Sequence, residues 1–123
     1  MLAYATIGSN DLPRAAAFYD EVLGIIGAKR VMENEQFIAW GSSQEGAGLG
    51  VTKPFDGKTA TVGNGVMVAL GADSRNTVDR LYARAIELGG SDEGAPGQRS
   101  DGFYAAYFRD LDGNKLNVCY MGP

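Results

Sequence analysis

Histidine does not occur anywhere in this chain of 123 residues. Its absence removes the side chain most used for proton transfer near neutral pH and the commonest nitrogen ligand for a metal. Cysteine occurs once, as Cys119, so no internal disulfide can form and a reducing cytoplasm is the compartment the composition fits. No run of Lys or Arg is present, and the net charge of -4 argues against nucleic acid or an anionic lipid surface as a partner. No apolar stretch approaches the roughly 20 residues needed to cross a bilayer. The opening MLAYATIGSND also lacks the basic and apolar regions of a secretory signal.

What the chain does have is 45% hydrophobic residues, enough for one modest core in a domain of ordinary size. Its 18 glycines fall between periodic segments and form no low-complexity tract, so they read as turn punctuation in a β-rich fold. The apolar run Leu2–Ile7 predicts a strand. Asp11 then stands where a helix cap belongs, ahead of apolar positions Leu12, Ala15, Ala16, Tyr19, Val22 and Leu23, which predict a helix over 12–23. Pro13 is compatible with a first turn, and Gly24 or Gly27 can end the helix. Strands follow over 28–32, 36–41 and 48–53, then a turn at Pro54-Phe55-Asp56-Gly57.

The second half repeats that order. A strand is predicted over 65–70, a helix capped by Ser74 and ended by Gly89-Gly90, a Gly/Pro-broken segment over 91–100, a strand over 103–109, the turn Asp110-Leu111-Asp112-Gly113-Asn114 and a last strand over 115–120. A shift of 63 positions lays Asp11 on Ser74, Phe18-Tyr19 on Leu81-Tyr82, Leu23 on Ile86 and Gly27 on Gly90. Shared caps and periods arise in any two amphipathic helices, but the matching order of elements strengthens the signal of an internal duplication. The chain is therefore expected to be a single domain, 1–123, of two modules over about 1–57 and 63–121.

Several segments in this order carry a family resemblance. They are Thr6-Ile7-Gly8-Ser9-Asn10-Asp11-Leu12, Phe18-Tyr19-Asp20-Glu21-Val22-Leu23-Gly24, Gly63–Leu70, Gly89-Gly90 with Glu93-Gly94-Ala95-Pro96-Gly97, and the close Phe103–Leu116 with its D-x-D-G-N hairpin. Across nearly its whole length the chain resembles the vicinal oxygen chelate superfamily, the group of glyoxalases, bleomycin-resistance proteins and extradiol dioxygenases. The resemblance implies an α+β fold in which two βαβββ modules form an eight-stranded curved mixed sheet, with helices on the convex face and a pocket on the concave face between modules. Period-2 alternation then assigns faces. Ala3, Ala5 and Ile7 should pack on a helix with Tyr4 and Thr6 opposite; Val66, Val68 and Leu70 likewise with Met67 and Ala69 opposite; and Leu116, Val118 and Tyr120 with Lys115, Asn117 and Cys119 opposite.

Metal-dependent relatives carry His or Gln in the first strand, Glu late in the first module, His in the fifth strand and Glu in the last. Those positions fall here on Tyr4, a place near Gly50 or Val51, Met67 and Asn117. A phenol, a thioether and an amide are poor donors for a divalent first-row cation, so no metal and no cofactor is expected. The catalytic residues stay unassigned. Tyr4, Lys53, Tyr107, Arg109 and Cys119 could serve acid–base or nucleophilic chemistry only with help from their surroundings. Asn117 sits mid-strand between Leu116 and Val118, so its amide must bond either another protein group or a ligand. Met67 is either core filler or part of an adaptable apolar pocket. Trp40 is either a platform for a flat ligand or the largest core anchor of the first module. Arg99 is either a carboxylate fork or a solvated loop residue. The glycine-rich pieces 46–48 and 63–65 lack the Lys-Ser/Thr of a phosphate loop.

The expected function is a metal-free, glyoxalase-like protein that binds an unidentified small molecule through Tyr4, Thr6, Trp40, Met67, Tyr107, Arg109 and Asn117. The alternative is a lyase, isomerase or dioxygenase of the same superfamily, and a third possibility is a dimer whose concavity is filled by its own side chains. A homodimer is expected, with modules pairing within or between chains.

Overall fold

A computed structural model describes residues 1–42 and 46–123 of the chain. The elements run β1 (Tyr4–Gly8), α1 (Leu12–Gly24), β2 (Lys29–Glu33), β3 (Phe37–Gly41), β4 (Gly48–Thr52), β5 (Val68–Gly71), α2 (Arg75–Glu87), β6 (Ser91–Ser100), β7 (Phe103–Arg109) and β8 (Lys115–Tyr120). The fold is α+β with eight strands, and both halves read βαβββ. The strands form two mixed four-stranded sheets, ordered β1-β4-β3-β2 and β5-β8-β7-β6. In each, the first strand of the module runs parallel to the last and the other neighbours are antiparallel.

Both helices start where the sequence predicts. The Asp11 carboxylate accepts the Arg14 N–H at 3.1 Å, and the Ser74 hydroxyl accepts the Thr77 N–H at 3.1 Å, each satisfying a donor that has no intrahelical partner. Gly89, with φ of +104°, provides the left-handed stop of α2. Two strands differ from expectation. The strand predicted over 65–70 begins at Val68 instead, because Gly65 takes φ of +96° and the Val66 N–H donates to the Gly63 carbonyl, closing a turn that leaves Val66 58% exposed. The segment 91–100 is a continuous strand, not a break. It pairs with β7 through register shifts on the outer edge of its sheet, where Pro96 need not donate and glycines fit bulges.

The alternation holds in the first strand. Ile7 is buried and Ala5 half-buried, while Tyr4 and Thr6 are exposed on the other side. One cluster of buried side chains joins the modules, from Trp40, Tyr19 and Val51 in the first to Leu81, Phe108 and Val118 in the second. The halves meet helix to helix, with α1 also on β2, β3 and β4 and α2 on β6, β7 and β8. The duplication is visible at that seam: Arg84 and Glu21, which are 84 − 21 = 63 positions apart, form an ion pair at 2.6 Å. Both side chains are substantially solvated, so a double-mutant cycle of Glu21→Gln and Arg84→Gln in urea titrations should give no coupling beyond the error of the measurement. A larger value would mean that this pair, and not the apolar core, holds the helices together.

Candidate functional site

The candidate site is the face of each sheet turned away from the helices. On the first sheet, direct pairing puts Tyr4 beside Gly48, Thr6 beside Gly50 and Ala39 beside Gly50 on one face. The small residues Ala39, Gly41 and Gly48 leave bare backbone there. Tyr4, Phe37, Val31 and Met32 stand around it, enclosing an open apolar cavity of about 590 Å³ with Lys29 at its border. A Cβ on Gly50 would lie 2.7 Å from Phe37 Cζ and 3.3 Å from Thr6 Cγ2, so the Phe37 ring fills the space that a side chain at position 50 would need. Tyr4 meets Phe37 edge to face, with ring centroids 6.3 Å apart.

The equivalent face of the second sheet is polar. Tyr107 pairs with Asn117 and Arg109 with Lys115 across β7 and β8. The Arg99 guanidinium and the Lys115 ammonium lie 5.5 and 5.6 Å from the Tyr107 ring centroid, within cation–π range. Arg109 donates to Glu93 at 3.1 Å and to the Gly113 carbonyl at 2.8 Å. The Asn117 amide is 2% exposed and donates to the Ala106 carbonyl at 3.0 Å, so the protein itself supplies a partner. Cys119 lies beside this row, buried, and that burial raises its thiol pKa, which keeps it protonated and a poor nucleophile. A second cavity, of about 560 Å³, lies between Val62–Met67, Arg109 and Lys115.

Six of the seven predicted site residues therefore separate into two groups. Tyr4 and Thr6 share the apolar face of the first sheet; Tyr107, Arg109 and Asn117 are on the second, with Met67 just before it. The chain does not bring the groups into one cavity, because its halves join through their helices and neither sheet continues into the other. Met67 precedes β5 and is 42% exposed. Trp40 borders the cavity of the first sheet, but its indole is 1% exposed, donates to Asp20 at 2.9 Å and packs on Tyr19 with centroids 5.8 Å apart, which is the arrangement of a core anchor. Among the further candidates, Lys53 lies beyond β4 beside Gln36, and Arg99 is on β6 donating to the Ala95 carbonyl at 2.6 Å, not a free loop arginine. The residue that sequence reasoning missed is Phe37. Alternation along Phe37-Ile38-Ala39-Trp40 puts it opposite Trp40, and Gly48-x-Gly50 on the neighbouring strand makes room for its ring.

The positions that the resemblance implies for metal ligands hold Tyr4, Gly50 or Val51, Met67 and Asn117; Gly50 pairs with Thr6 and Val51 is buried beside Ile7. That donor set does not suit a divalent cation. Among the described residues, no group of three His, Cys, Asp or Glu side chains is close enough to hold one. No described helix is long and apolar enough to cross a membrane.

A family model described as Glyoxalase/Bleomycin resistance protein/Dioxygenase superfamily matches residues 1–118. Among solved structures, the chain is similar to a glyoxalase/bleomycin resistance protein from Albidiferax ferrireducens T118, with 36% identity, 97% of each chain covered and a TM-score of 0.89. It is also similar to a glyoxalase/bleomycin resistance protein/dioxygenase family enzyme from Burkholderia phytofirmans PsJN, with 18% identity, 98% of each chain and a TM-score of 0.77. A lactoylglutathione lyase from Agrobacterium tumefaciens shares the fold at 22% identity and a TM-score of 0.71, over 97% of this chain and 92% of that one. No curated protein matches the chain.

Proposed function

This chain belongs to the glyoxalase/bleomycin resistance protein/dioxygenase superfamily, and from that premise we propose that it binds a small organic molecule without a resident metal. The supporting observation is the substitution of the ligand set. Tyr4, Gly50 or Val51, Met67 and Asn117 stand where imidazole and carboxylate would be needed, and the Phe37 ring occupies the side-chain space of Gly50. An apolar cavity of about 590 Å³ lies within the range of small-molecule sites. The lyase, isomerase or dioxygenase reading would have to draw its base from a group other than histidine, which the chain lacks, or Cys119, whose thiol burial keeps protonated.

The working unit in this proposal is a cytoplasmic homodimer of single-domain chains, each with modules over about 1–57 and 63–121. β1 and β5 each end a sheet with one edge unpaired. Setting β1 of one copy beside β5 of another would continue the four strands into eight, and it would bring the Tyr4–Phe37 half-site of one copy opposite the Tyr107–Arg109 half-site of the other. Such an isologous arrangement gives two equal pockets per dimer.

Native mass spectrometry with elemental analysis tests both parts. Two chains and no stoichiometric metal are expected, and a thermal-shift screen of small molecules should find one that raises Tm, since a ligand that binds only the folded protein stabilises it by mass action. One Ni, Zn, Fe or Mn per chain would overturn the metal-free reading. A monomer would overturn the two-copy pocket, and a broad screen without a stabilising compound would remove the binding function.

A further inference from the structure

We propose that the cavity on the first sheet is selective for a planar aromatic acid, with its ring against Phe37 and Tyr4 and its carboxylate toward Lys29. This rests on reading that cavity as a ligand site and names the class of molecule it takes. Three features of the cavity carry it. Its base is backbone, since Ala39, Gly41 and Gly48 project little or nothing, so a flat object can approach closely. Its walls are apolar and aromatic: the Phe37 ring lies across Gly50, Tyr4 meets it edge to face, and Val31 and Met32 are 66% and 57% exposed beside them. A ring placed beside such a pair gains offset-stacked or edge-to-face contact that a saturated ring of the same volume does not.

The charge of the ligand follows from the border. Within one chain, Lys29 is the one Lys or Arg among the described lining residues, and no Asp or Glu lines the cavity among them. Lys29 has no ion pair among those residues either. An ammonium beside an apolar surface favours an anion and disfavours a cation, and at this partly screened position it adds selectivity more than affinity. Orientation is then set: the acid stays toward solvent at Lys29 while the ring is desolvated against Phe37.

Isothermal titration of the full-length protein with three probes tests the class. 2-Naphthoate should bind, decahydro-2-naphthoate should bind at least about tenfold more weakly, and 2-naphthalenemethanol should fall between them. Phe37→Leu keeps an apolar side chain but removes the ring, and should weaken 2-naphthoate by about tenfold while leaving the decahydro acid unchanged. Lys29→Gln should reduce the preference of the acid over the alcohol, and an unchanged preference overturns the placement of the carboxylate at Lys29. Circular dichroism and unchanged chain number establish that each variant is folded. Equal binding of the flat and saturated acids, or a Phe37→Leu variant with full naphthoate affinity, overturns the aromatic class. If no probe binds while the thermal screen yields another ligand, this inference fails and the small-molecule reading stands; if neither yields a ligand, both fail.

Discussion

Replacing Asp110 with alanine is expected to cost about 3–5 kcal/mol of stability, a large share of what a domain of this size possesses. Four donors converge on this one carboxylate. Oδ1 accepts the N–H groups of Asp112 and Asn114, each at 2.9 Å, and Oδ2 accepts the Tyr19 hydroxyl at 2.5 Å and the Asn114 amide at 3.0 Å. Asp110 is 5% exposed and Tyr19 fully buried, so water cannot replace what is lost. The bonds also cross the molecule, from the β7–β8 hairpin of one module to α1 of the other. Asn114 extends the same link by donating to the Gly8 carbonyl at the end of β1. Urea denaturation followed by circular dichroism measures the effect. Asp110→Asn keeps one acceptor oxygen but presents an NH2 group to donors, so an intermediate loss is expected.

The same network carries a pH dependence. Burial first, and then the charge and hydrogen bond of Asp110, hold the Tyr19 phenol pKa well above its ordinary value of about 10. The folded value is therefore raised above the unfolded one. The contribution of the neutral phenol is fully present below about pH 10 and declines as pH rises beyond it toward the folded value. Wild-type stability should fall through that alkaline range, and Tyr19→Phe should fall less steeply. Tyr82 and Tyr104 are also raised, but they contribute alike to both proteins and cancel in the difference. Matching alkaline slopes would mean that Tyr19 is not the titrating group.

The frame of this molecule could be read before its coordinates because local rules and the global fold agree. Asp11 and Ser74 cap helices where apolar periodicity starts, and Tyr4 and Thr6 fall on the opposite face from Ile7 as alternation demands. Failures occur where backbone geometry overrides residue pattern. Val66 and Met67 continue an apolar run, but the turn at Gly63–Val66 excludes them from β5. The glycines and Pro96 of 91–100 look like a break, yet an edge strand accepts them through bulges. At the site the limit is different. Alternation establishes that Phe37 and Trp40 face opposite ways but not which way. The helices settle it, because Asp20 on α1 accepts the indole N–H. Nor does the sequence disclose that its two groups of site residues lie on separate sheets; that depends on helix-to-helix packing between modules.

Trp40→Ala should cost about 3–5 kcal/mol, the largest single-residue effect expected in the first module. The indole is 1% exposed, packs on Tyr19, and lies under the Arg30 guanidinium at 5.9 Å. Removing it leaves a void that the surrounding strands cannot fill, since Ile38 and Leu49 are already buried beside it. It also frees the Asp20 carboxylate, which accepts from both Trp40 and Arg30. Trp40→Phe retains most of the volume and loses the N–H bond, so a smaller loss of about 1–2 kcal/mol is expected. This variant separates core from site. Because the indole and the Phe37 ring project from opposite faces of β3, Trp40→Phe should lower the urea midpoint while leaving 2-naphthoate affinity within about twofold, and Phe37→Leu should do the reverse. A Trp40→Phe protein that loses naphthoate binding as severely as Phe37→Leu, with its midpoint unmoved, would put the indole on the ligand side and remove the basis for assigning the cavity to Phe37 and Tyr4.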